Sequence, residues 1–245
     1  MKKLVIISGP SCAGKTPLFK AFKELYPAAE AGIKKLVLYN SRAPRPGEKE
    51  GVDYFFRRRK EVADLKREPG FIVMNVRGDL QALDLISLKK TLISSSVVFE
   101  GNSFISGKLL SLKALKGVPK RSIFVSPLSK EEITAIKEKS GHAGLERFIR
   151  QMMRRKLVVR AIKQGRDLDA YALGDITRRA KSACIEMKEA WRYDLVFPNH
   201  DGEDNLNWDQ APVPIGEARK SLAAFACFFK GKRPAFAEKW PKDLF

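Results

Sequence analysis

Histidine and cysteine are scarce in this chain of 245 residues. The two histidines, His142 and His200, have no metal-ligand spacing, so the sequence gives no support for a zinc site. The three cysteines, Cys12, Cys184 and Cys227, form neither a paired framework nor a C-x-x-C unit. We therefore expect a reducing compartment and a cytoplasmic protein.

Long apolar runs are also missing. The first apolar run, Leu4 to Ile7, stops at Ser8 and is too short for a signal peptide. No stretch approaches the roughly 18 apolar residues of a membrane span. We expect a soluble protein without a membrane partner.

Positive charge, in contrast, is abundant. The formal net charge is +19, and hydrophobic residues make up 44% of the chain, enough for a folded globular protein. Such an excess of positive charge is typical of a protein that binds phosphates, and it is equally typical of one that binds nucleic acid. Solvated helix faces explain some of these lysines but not the whole excess.

Residues 9–16 read GPSCAGKT and match the pattern G-x-x-x-x-G-K-[ST]. They follow the apolar run and precede a helix-like segment, Leu18 to Tyr26, which is the strand–loop–helix context of a phosphate-binding P-loop. The loop amides would form an anion nest, and the helix adds its positive N-terminal end. We expect nucleotide phosphates to contact Gly9, Ser11, Cys12, Ala13, Gly14, Lys15 and Thr16.

Within this loop, Lys15 would reach the outer phosphates and the Thr16 hydroxyl would hold Mg²⁺. Cys12 stands where a small residue is usual. Its thiol is either acidified by the nest and oxidisable, or simply a tolerated small side chain.

Alternating strand and helix patterns predict a parallel α/β sheet between helical layers, a three-layer α/β/α core. Ligands bind such sheets at the carboxyl ends of the strands. The predicted strands are residues 3–8, 35–39, 71–74, 96–100, 122–125 and 194–197. The predicted helices are residues 15–26, 57–68, 105–116, 130–139, 145–163, 176–191 and 217–229.

A second informative stretch, residues 41–56, reads SRAPRPGEKEGVDYFF. Two prolines and two glycines hold this basic loop in a defined shape. Arginine side chains grip a phosphate through paired charge-assisted hydrogen bonds, and a tyrosine hydroxyl adds a neutral donor. The alternative is that these arginines only cover a solvated loop.

With both stretches in place, the chain resembles the guanylate kinase family of nucleoside monophosphate kinases. The family pattern SGPSGxGKST corresponds to residues 8–16, and T-R-x-P-R-x-G-E-x-x-G-x-D-Y-x-F corresponds to residues 41–56. Weaker agreement continues at 124–129, 176–186 and 193–199. The resemblance spans roughly residues 3–208, with an apparent insertion at about 142–175.

The resemblance implies a P-loop domain at 1–210 with a small acceptor-binding subdomain at about 35–95. It also implies an enlarged helical lid at about 130–175, followed by a C-terminal helical extension at 211–245. ATP would bind the P-loop, and a nucleoside monophosphate would bind in the facing cleft. Mg²⁺ is the implied cofactor.

The resemblance implies a role for each residue that stands at a matching position of the family motifs. Arg42, Arg45 and Tyr54 would hold the phosphate of the acceptor. Arg179 would be a lid arginine that neutralises the transferring phosphoryl group, although a plain surface arginine is an alternative. Asn199 falls where the family contacts the adenine of ATP.

The chain departs from the family at several positions. Ungapped alignment from Tyr54 puts Val73 in the place of the family's guanine-reading glutamate and Asp84 in the place of its hydroxyl. A valine cannot pair with the donors of guanine, although Asp79 or Asp84 could take over. Glu100, the strand-end acid, would act in catalysis by steering Mg²⁺ through water, or it is only a surface charge.

The basic run in the insertion also departs from the pattern. It could compensate for missing lid arginines, form a face for nucleic acid, or be a solvated helix. Its members are Arg147, Arg150, Arg154, Arg155 and Lys156.

The first hypothesis is therefore an ATP-dependent nucleoside monophosphate kinase with GMP or dGMP as the leading acceptor. The second is a binding module of the same fold that has lost catalysis and binds a protein or nucleic acid. The intact Gly14-Lys15-Thr16 disfavours that second hypothesis. A third is a kinase for a different phosphorylated acceptor. Nucleic acid is a possible but not a favoured partner, and the sequence makes no prediction about the oligomeric state.

Overall fold

The structure is a computed structural model that describes residues 2–45 and 47–245. Pro46, one of the two prolines of the predicted basic loop, lies outside the described residues. In these residues the strands are β1 (Leu4–Ser8), β2 (Ile33–Lys35), β3 (Leu38–Asn40), β4 (Tyr54–Phe56), β5 (Phe71–Val76), β6 (Asp79–Asp84), β7 (Ser96–Gly101), β8 (Lys120–Ser126) and β9 (Leu195–Pro198).

The α-helices follow the strands in alternation along much of the chain. They are α1 (Lys15–Leu25), α2 (Pro27–Glu30), α3 (Arg59–Asp64), α4 (Leu85–Ser94), α5 (Ser103–Ser111), α6 (Lys130–Lys163), α7 (Ala170–Lys188) and α8 (Gly216–Phe229). Short 3-10 turns cover residues 65–67, 113–115, 190–192 and 206–209.

Two sheets organise these elements. The central sheet has five strands in the order β2-β7-β1-β8-β9, and the pairs β2–β7 and β8–β9 are parallel. The predicted α/β class with a parallel sheet is thereby confirmed. The smaller sheet has four strands in the order β4-β3-β6-β5.

Several predicted elements differ from the observed ones. The strand predicted at 35–39 is two strands, β2 and β3, and the helix predicted at 105–116 begins earlier and ends at Ser111. The sequence patterns missed β4, β6 and α4. The two helices predicted at 130–139 and 145–163 are confirmed as the two parts of α6, which is broken at Gly141, where φ of 68° and ψ of 178° are not helical.

Helix α6 starts with a capping box formed by Ser129 and Glu132. The Ser129 hydroxyl accepts a hydrogen bond from the Glu132 amide at 3.1 Å, and the Glu132 carboxylate accepts one from the Ser129 amide at 2.7 Å. Two otherwise unpaired helix-end amides are satisfied in this way, which fixes where α6 begins.

The chain forms two compact units. The first comprises the residues up to Ile6, Gly32–Glu100 and Lys108–Arg121, and the second comprises Ile7–Ala31, Gly101–Gly107 and Ser122–Phe245. Each unit is described separately.

In the first unit, a two-residue turn sets the register of the small sheet. Arg77 and Gly78 both have positive φ, 57° and 99°, as a type I′ hairpin turn requires. Val76 and Asp79 flank the turn as a pair, and Ile72 then lies opposite Leu83. Strand β3 pairs antiparallel with β6 and parallel with β4.

In the second unit, helix α8 packs on α1. The ring of Phe22 lies 4.8 Å from that of Phe225 and 5.0 Å from that of Phe229. Burial of such aromatic side chains contributes roughly 1.5–3 kcal/mol each. The C-terminal helix is therefore an integral part of the core around the P-loop helix.

Helices α6 and α7 pack side by side in the same unit. Buried residues of α6 after Gly141 recur every four positions, at Leu145, Ile149, Met153 and Leu157, and so lie along one face of the helix. Further along the chain, Val196 and Glu238 exchange backbone hydrogen bonds of 2.8 and 2.9 Å, so the C-terminal segment pairs with β9.

Candidate nucleotide site

The P-loop connects β1 to α1, and its glycines are required by close approach. A Cβ on Gly9 would lie 2.2 Å from the Val125 carbonyl oxygen, and one on Gly14 would lie 2.3 Å from Asn199 Nδ2. Both residues also have positive φ, 145° and 93°. Only glycine satisfies both conditions, so the spacing of the two glycines follows from packing as well as from the curl of the loop.

Lys15 is folded back onto this loop. Its Nζ donates a hydrogen bond of 2.6 Å to the Pro10 carbonyl, and the residue is only 6% exposed. Desolvation of an ammonium group is costly unless it is paired, and the carbonyl supplies that partner. The charge is thus kept beside the nest amides.

Thr16 is exposed in the first turn of α1. A hydroxyl in this position fits Mg²⁺, because this ion takes few ligands from the protein and the rest from water and phosphate oxygens. Among the described residues, no group of three or more His, Cys, Asp or Glu side chains forms a metal cluster.

The loop that follows β9 is held against the P-loop. Asn199 Nδ2 donates to the carbonyls of Ala13 at 2.8 Å and Asp201 at 2.7 Å, while its buried Oδ1 has no partner. A Cβ on Gly202 would lie 2.0 Å from the Cys12 carbonyl oxygen. Residue 202 is thus packed directly on the P-loop backbone.

The Asp201 carboxylate fixes the shape of this loop. It accepts hydrogen bonds from the side chains of Asn205 and Asn207 and from the Ala218 amide, at 2.7–2.9 Å. Trp208 Nε1 donates to the Asp201 carbonyl at 2.6 Å. The loop is therefore anchored to α8.

Glu203 in this loop binds the nest itself. Its Oε2 accepts a hydrogen bond of 3.0 Å from the Gly14 amide. An amide hydrogen directed at one acceptor is not available to another in good geometry. The Glu203 carboxylate therefore takes a donor that a phosphate would use. No motif in the sequence indicates this contact, which joins residues 189 positions apart.

Cys12 is fully buried, with φ of 68°. Its Sγ lies 3.5 Å from the Lys156 carbonyl and 3.5 Å from Asp204 Oδ1. Burial, followed by the charge of Glu203, raises the pKa of this thiol. The thiol is not acidified, and the interpretation of Cys12 as a small tolerated side chain agrees with the structure.

Arg179 lies on α7, and its guanidinium reaches the P-loop. Nη1 donates to the Ser11 hydroxyl at 3.0 Å, and Nε donates to Asp175 Oδ2 at 2.9 Å. The carboxylate orients the guanidinium while one edge contacts the loop. The structure thus brings together Arg179, Ser11 and the nest, although the role of Arg179 in phosphoryl transfer stays a prediction.

In the first unit, the arginine of the second loop is paired with a carboxylate. Arg42 and Glu48 form two hydrogen bonds of 2.6 Å, and their side chains are 8% and 20% exposed. The Arg45 amide donates to the same carboxylate at 2.8 Å, and the Arg45 guanidinium lies 4.0 Å from it. The Arg42 guanidinium also stacks 5.2 Å from the ring centre of Tyr54.

These contacts shift the titration of the loop. Burial by itself would raise the pKa of Glu48, but hydrogen bonds from Arg42 and the Arg45 amide outweigh it and lower the pKa. Burial raises the pKa of Tyr54, so its hydroxyl stays a donor. Binding of an acceptor phosphate by Arg42, Arg45 and Tyr54 remains a prediction.

The remaining two candidates also lie in the first unit. Glu100 is half-buried near the end of β7, and its charge acts on Tyr54. Asp84 is the N-cap of α4, where its Oδ1 accepts a hydrogen bond of 2.8 Å from the Ser87 amide. Asp84 therefore has a structural task that the alignment did not indicate.

The basic run on α6 divides into two parts. Lys156 binds the loop after β9, with Nζ 2.7 Å from the His200 carbonyl and 3.1 Å from Asp204. The other members are exposed, and within residues 2–45 and 47–245 they form no ion pair. Those members are Arg147, Arg150, Arg154 and Arg155.

A glycine loop between a buried strand and a helix, at one edge of a parallel sheet, defines a P-loop protein of the α/β class. Over the described ranges, no helix combines the length and apolarity that a membrane crossing needs. The fold resembles the crystal structure of guanylate kinase from Anaplasma phagocytophilum, with a TM-score of 0.56 and 18% identity, covering 94% of this chain and 85% of that one.

The sequence comparisons agree with this fold. The guanylate kinase family model matches residues 1–82. The guanylate kinases of Haemophilus influenzae and Escherichia coli O157:H7 are 29% and 27% identical to the chain, and each match covers 83% of both sequences. The guanylate kinase of Chlamydia muridarum is 42% identical over 72 residues, 29% of this chain and 34% of that protein.

The chain is thus similar to guanylate kinases over most of its length, at 27–29% identity. Agreement is highest near the N-terminus, where both quoted motifs lie, and the remainder is less similar.

Proposed function

We propose that this chain transfers the terminal phosphoryl group of ATP to a nucleoside monophosphate, with GMP or dGMP the first acceptor to test. The observation that supports this proposal best is that Lys15, the Gly14 amide and the guanidinium of Arg179, which contacts Ser11, all lie at the P-loop. Phosphoryl transfer requires mainly positioning and charge neutralisation, which these groups supply.

The P-loop and Arg179 bind ATP and the transferred phosphoryl group in this proposal. The amides of residues 9–16 bind the ATP phosphates, Lys15 turns from Pro10 to the outer phosphates, and Arg179 neutralises charge on the group in transfer. Mg²⁺, held by the Thr16 hydroxyl, supplies further neutralisation of phosphate charge when bound. In this proposal Asn199 contacts the adenine.

Acceptor binding is assigned to the second loop. Arg42 has donors besides those that face Glu48, because a guanidinium carries five N–H groups. Tyr54, protonated through its raised pKa, adds a hydroxyl donor. The charge of the half-buried Glu100 acts on Tyr54, and in the proposed function Glu100 would steer Mg²⁺ through water.

ADP release, measured with each common nucleoside monophosphate and ATP–Mg²⁺, tests the proposal. We expect turnover with at least one monophosphate and its loss in the Lys15→Met variant. Well-folded wild-type protein that turns over none of them would overturn it. Thermal shifts then separate the alternatives: stabilisation by ATP–Mg²⁺ alone indicates a different acceptor, and no stabilisation by any nucleotide indicates a binding module.

A further inference from the structure

The small sheet of the first unit has two faces, and its register decides which side chains share each. Directly opposed residues in a sheet point to the same face, and successive residues along a strand point to opposite faces. Asn40 lies opposite Phe56 on β4 and opposite Gln81 on β6. These three side chains therefore share one face.

We call this face the Tyr54 face, and it carries Asn40, Tyr54, Phe56, Ile72, Gln81 and Leu83. Ring contacts agree with the assignment, because Tyr54 lies 5.8 Å from Phe56 and the Arg42 guanidinium lies over both rings. The predicted phosphate-binding groups Arg42 and Tyr54 thus belong to this face.

The reverse face has a different composition. Val73 lies opposite Ala82, and Tyr39 lies opposite the same alanine. The Tyr39 ring contacts Phe55 at 5.0 Å and Phe71 at 5.6 Å. Asp84, opposite Phe71, also points to this reverse face, away from Tyr54.

One side chain on the Tyr54 face lacks a partner. Asn40 is 0% exposed; its Oδ1 accepts a hydrogen bond of 3.2 Å from the Arg42 amide, but its Nδ2 has no hydrogen-bond partner. Buried polar groups are nearly always paired, so an unpaired donor beside Arg42 indicates a missing acceptor. Gln81, the residue opposite Asn40, is also buried.

We propose that Asn40 and Gln81 hold the ring of the acceptor, and that this ring offers Asn40 a hydrogen-bond acceptor while it packs on the half-buried Ile72. This proposal rests on the proposed function, since it places the acceptor phosphate at Arg42 and Tyr54. Asp79 shares the face, but its charge acts on Arg42 at the phosphate end.

A consequence for selectivity follows from the donor character of Asn40 Nδ2. Carbonyl oxygens or ring nitrogens that accept hydrogen bonds are present on every common base, whereas N1–H and N2–H₂ donors together are particular to guanine. Of the strand residues described on this face, only Asp79 carries a carboxylate, and it lies at the turn end of β6, four residues from Leu83. The acceptor class is therefore a nucleoside monophosphate chosen with little regard to its base.

The test is a comparison of kcat/KM for GMP, AMP, CMP and UMP at saturating ATP. We expect the wild-type values to lie within about tenfold of one another. Asn40→Asp keeps the acceptor for the Arg42 amide but replaces the donor. It should raise the KM of CMP and UMP at least tenfold, shift the ratio toward GMP, and leave the KM of ATP unchanged.

Asp84→Asn is the matched comparison, because it removes one carboxylate charge on the reverse face. We expect it to change the ratios by less than twofold. A strong wild-type preference for GMP that Asp84→Asn abolishes would overturn the proposal. Gln81→Leu provides a second variant if Asn40→Asp does not fold, and an unchanged acceptor KM in Gln81→Leu would also count against it.

Absence of turnover with all four monophosphates would defeat the proposed function instead. Calorimetric binding of the same monophosphates then decides about the Tyr54 face. Binding weakened by the Asn40 or Gln81 variant supports the assignment. Binding that is insensitive to both variants, or absent altogether, overturns it.

Discussion

The two predicted anion-binding elements of this chain differ in how they are held. The P-loop offers backbone amides, and its partners Arg179, Asn199 and Glu203 come from far along the sequence. The second loop offers guanidiniums, and its main partner, Glu48, lies six residues from Arg42. In both elements, a glutamate takes donors that a phosphate would need.

The second loop is held by a contact within the loop itself, whereas the P-loop is held by residues distant in the sequence. The Arg42–Glu48 pair forms within one loop and should persist whenever that loop is folded. The Gly14–Glu203 contact requires the strand β9, the Asp201 network and helix α8 to be in place. Variants in the two elements should therefore affect different quantities: kcat, the KM of the acceptor, the Kd of ATP and the free energy of unfolding.

The largest effect is expected from Lys15→Met. Removing the only ammonium bonded within the described part of the P-loop should lower kcat by about 100-fold or more, because a preorganised donor is worth roughly 2.7–4 kcal/mol in the transition state. Steady-state kinetics measure it. Lys20→Met, on the exposed side of α1, is the control. Equal kcat in both variants would contradict the assignment.

Arg42→Lys should come next. A lysine cannot form the two-pronged contact with Glu48, so the half-buried carboxylate loses a bond and the free energy of unfolding should fall by about 1–3 kcal/mol. The acceptor KM should also rise about tenfold. Urea unfolding and kinetics measure the two effects. Arg57→Lys, an exposed arginine paired with Glu50, is the matched control and should change neither.

Glu203→Gln should strengthen ATP binding. An amide oxygen is a weaker acceptor than a carboxylate, so the Gly14 amide is released more easily to a phosphate, and the negative charge near the nest is removed. We expect Kd to fall about fivefold, equivalent to about 1 kcal/mol. Calorimetry with ATP–Mg²⁺ measures it. Weaker or unchanged binding would show that Glu203 does not compete.

The control for Glu203→Gln is Asp209→Asn, which removes one acidic charge from the same region. Asp209 pairs with Lys163, and in the described part of the chain it forms no hydrogen bond with the nest. Its Kd for ATP should stay within about twofold of wild type, since an exposed charge is screened by salt. A drop equal to that of Glu203→Gln would mean that net charge alone is responsible.

The smallest effect concerns pH. The pKa of Glu48 is lowered in the fold, so its stabilisation is present above the ordinary glutamate pKa and is lost as the pH falls through the lowered folded value. Urea unfolding between pH 6 and 3 should show a wild-type loss that Glu48→Gln reduces by about 1 kcal/mol. Parallel curves for both proteins would remove Glu48 as the cause.

Much of the P-loop region could be predicted because its signals are local. A buried strand, two glycines at fixed spacing and an amphipathic helix each follow from the adjacent residues, and β1 and α1 were found close to their expected bounds. The capping box at Ser129 belongs to the same category. Contacts such as Gly14–Glu203 could not be predicted, since nothing near either residue specifies the other.

The small sheet could not be predicted in full for a different reason. Its register depends on where the chain turns, and the turn at Arg77 and Gly78 fixes pairs that an ungapped alignment does not consider. A displacement of one residue moves every side chain to the other face. In the observed register, Gln81 and Leu83 share a face of the sheet with Tyr54, and Asp84 lies on the opposite face.

The pairing of Glu238 with Val196 gives the C-terminal segment a protective role. Strand β9 ends the central sheet, and an uncovered terminal strand offers its amides and carbonyls as a template to other chains. Removing residues from Glu238 onward would expose the backbone edge of β9, whose four residues are all buried. The shortened protein should then self-associate through strand addition.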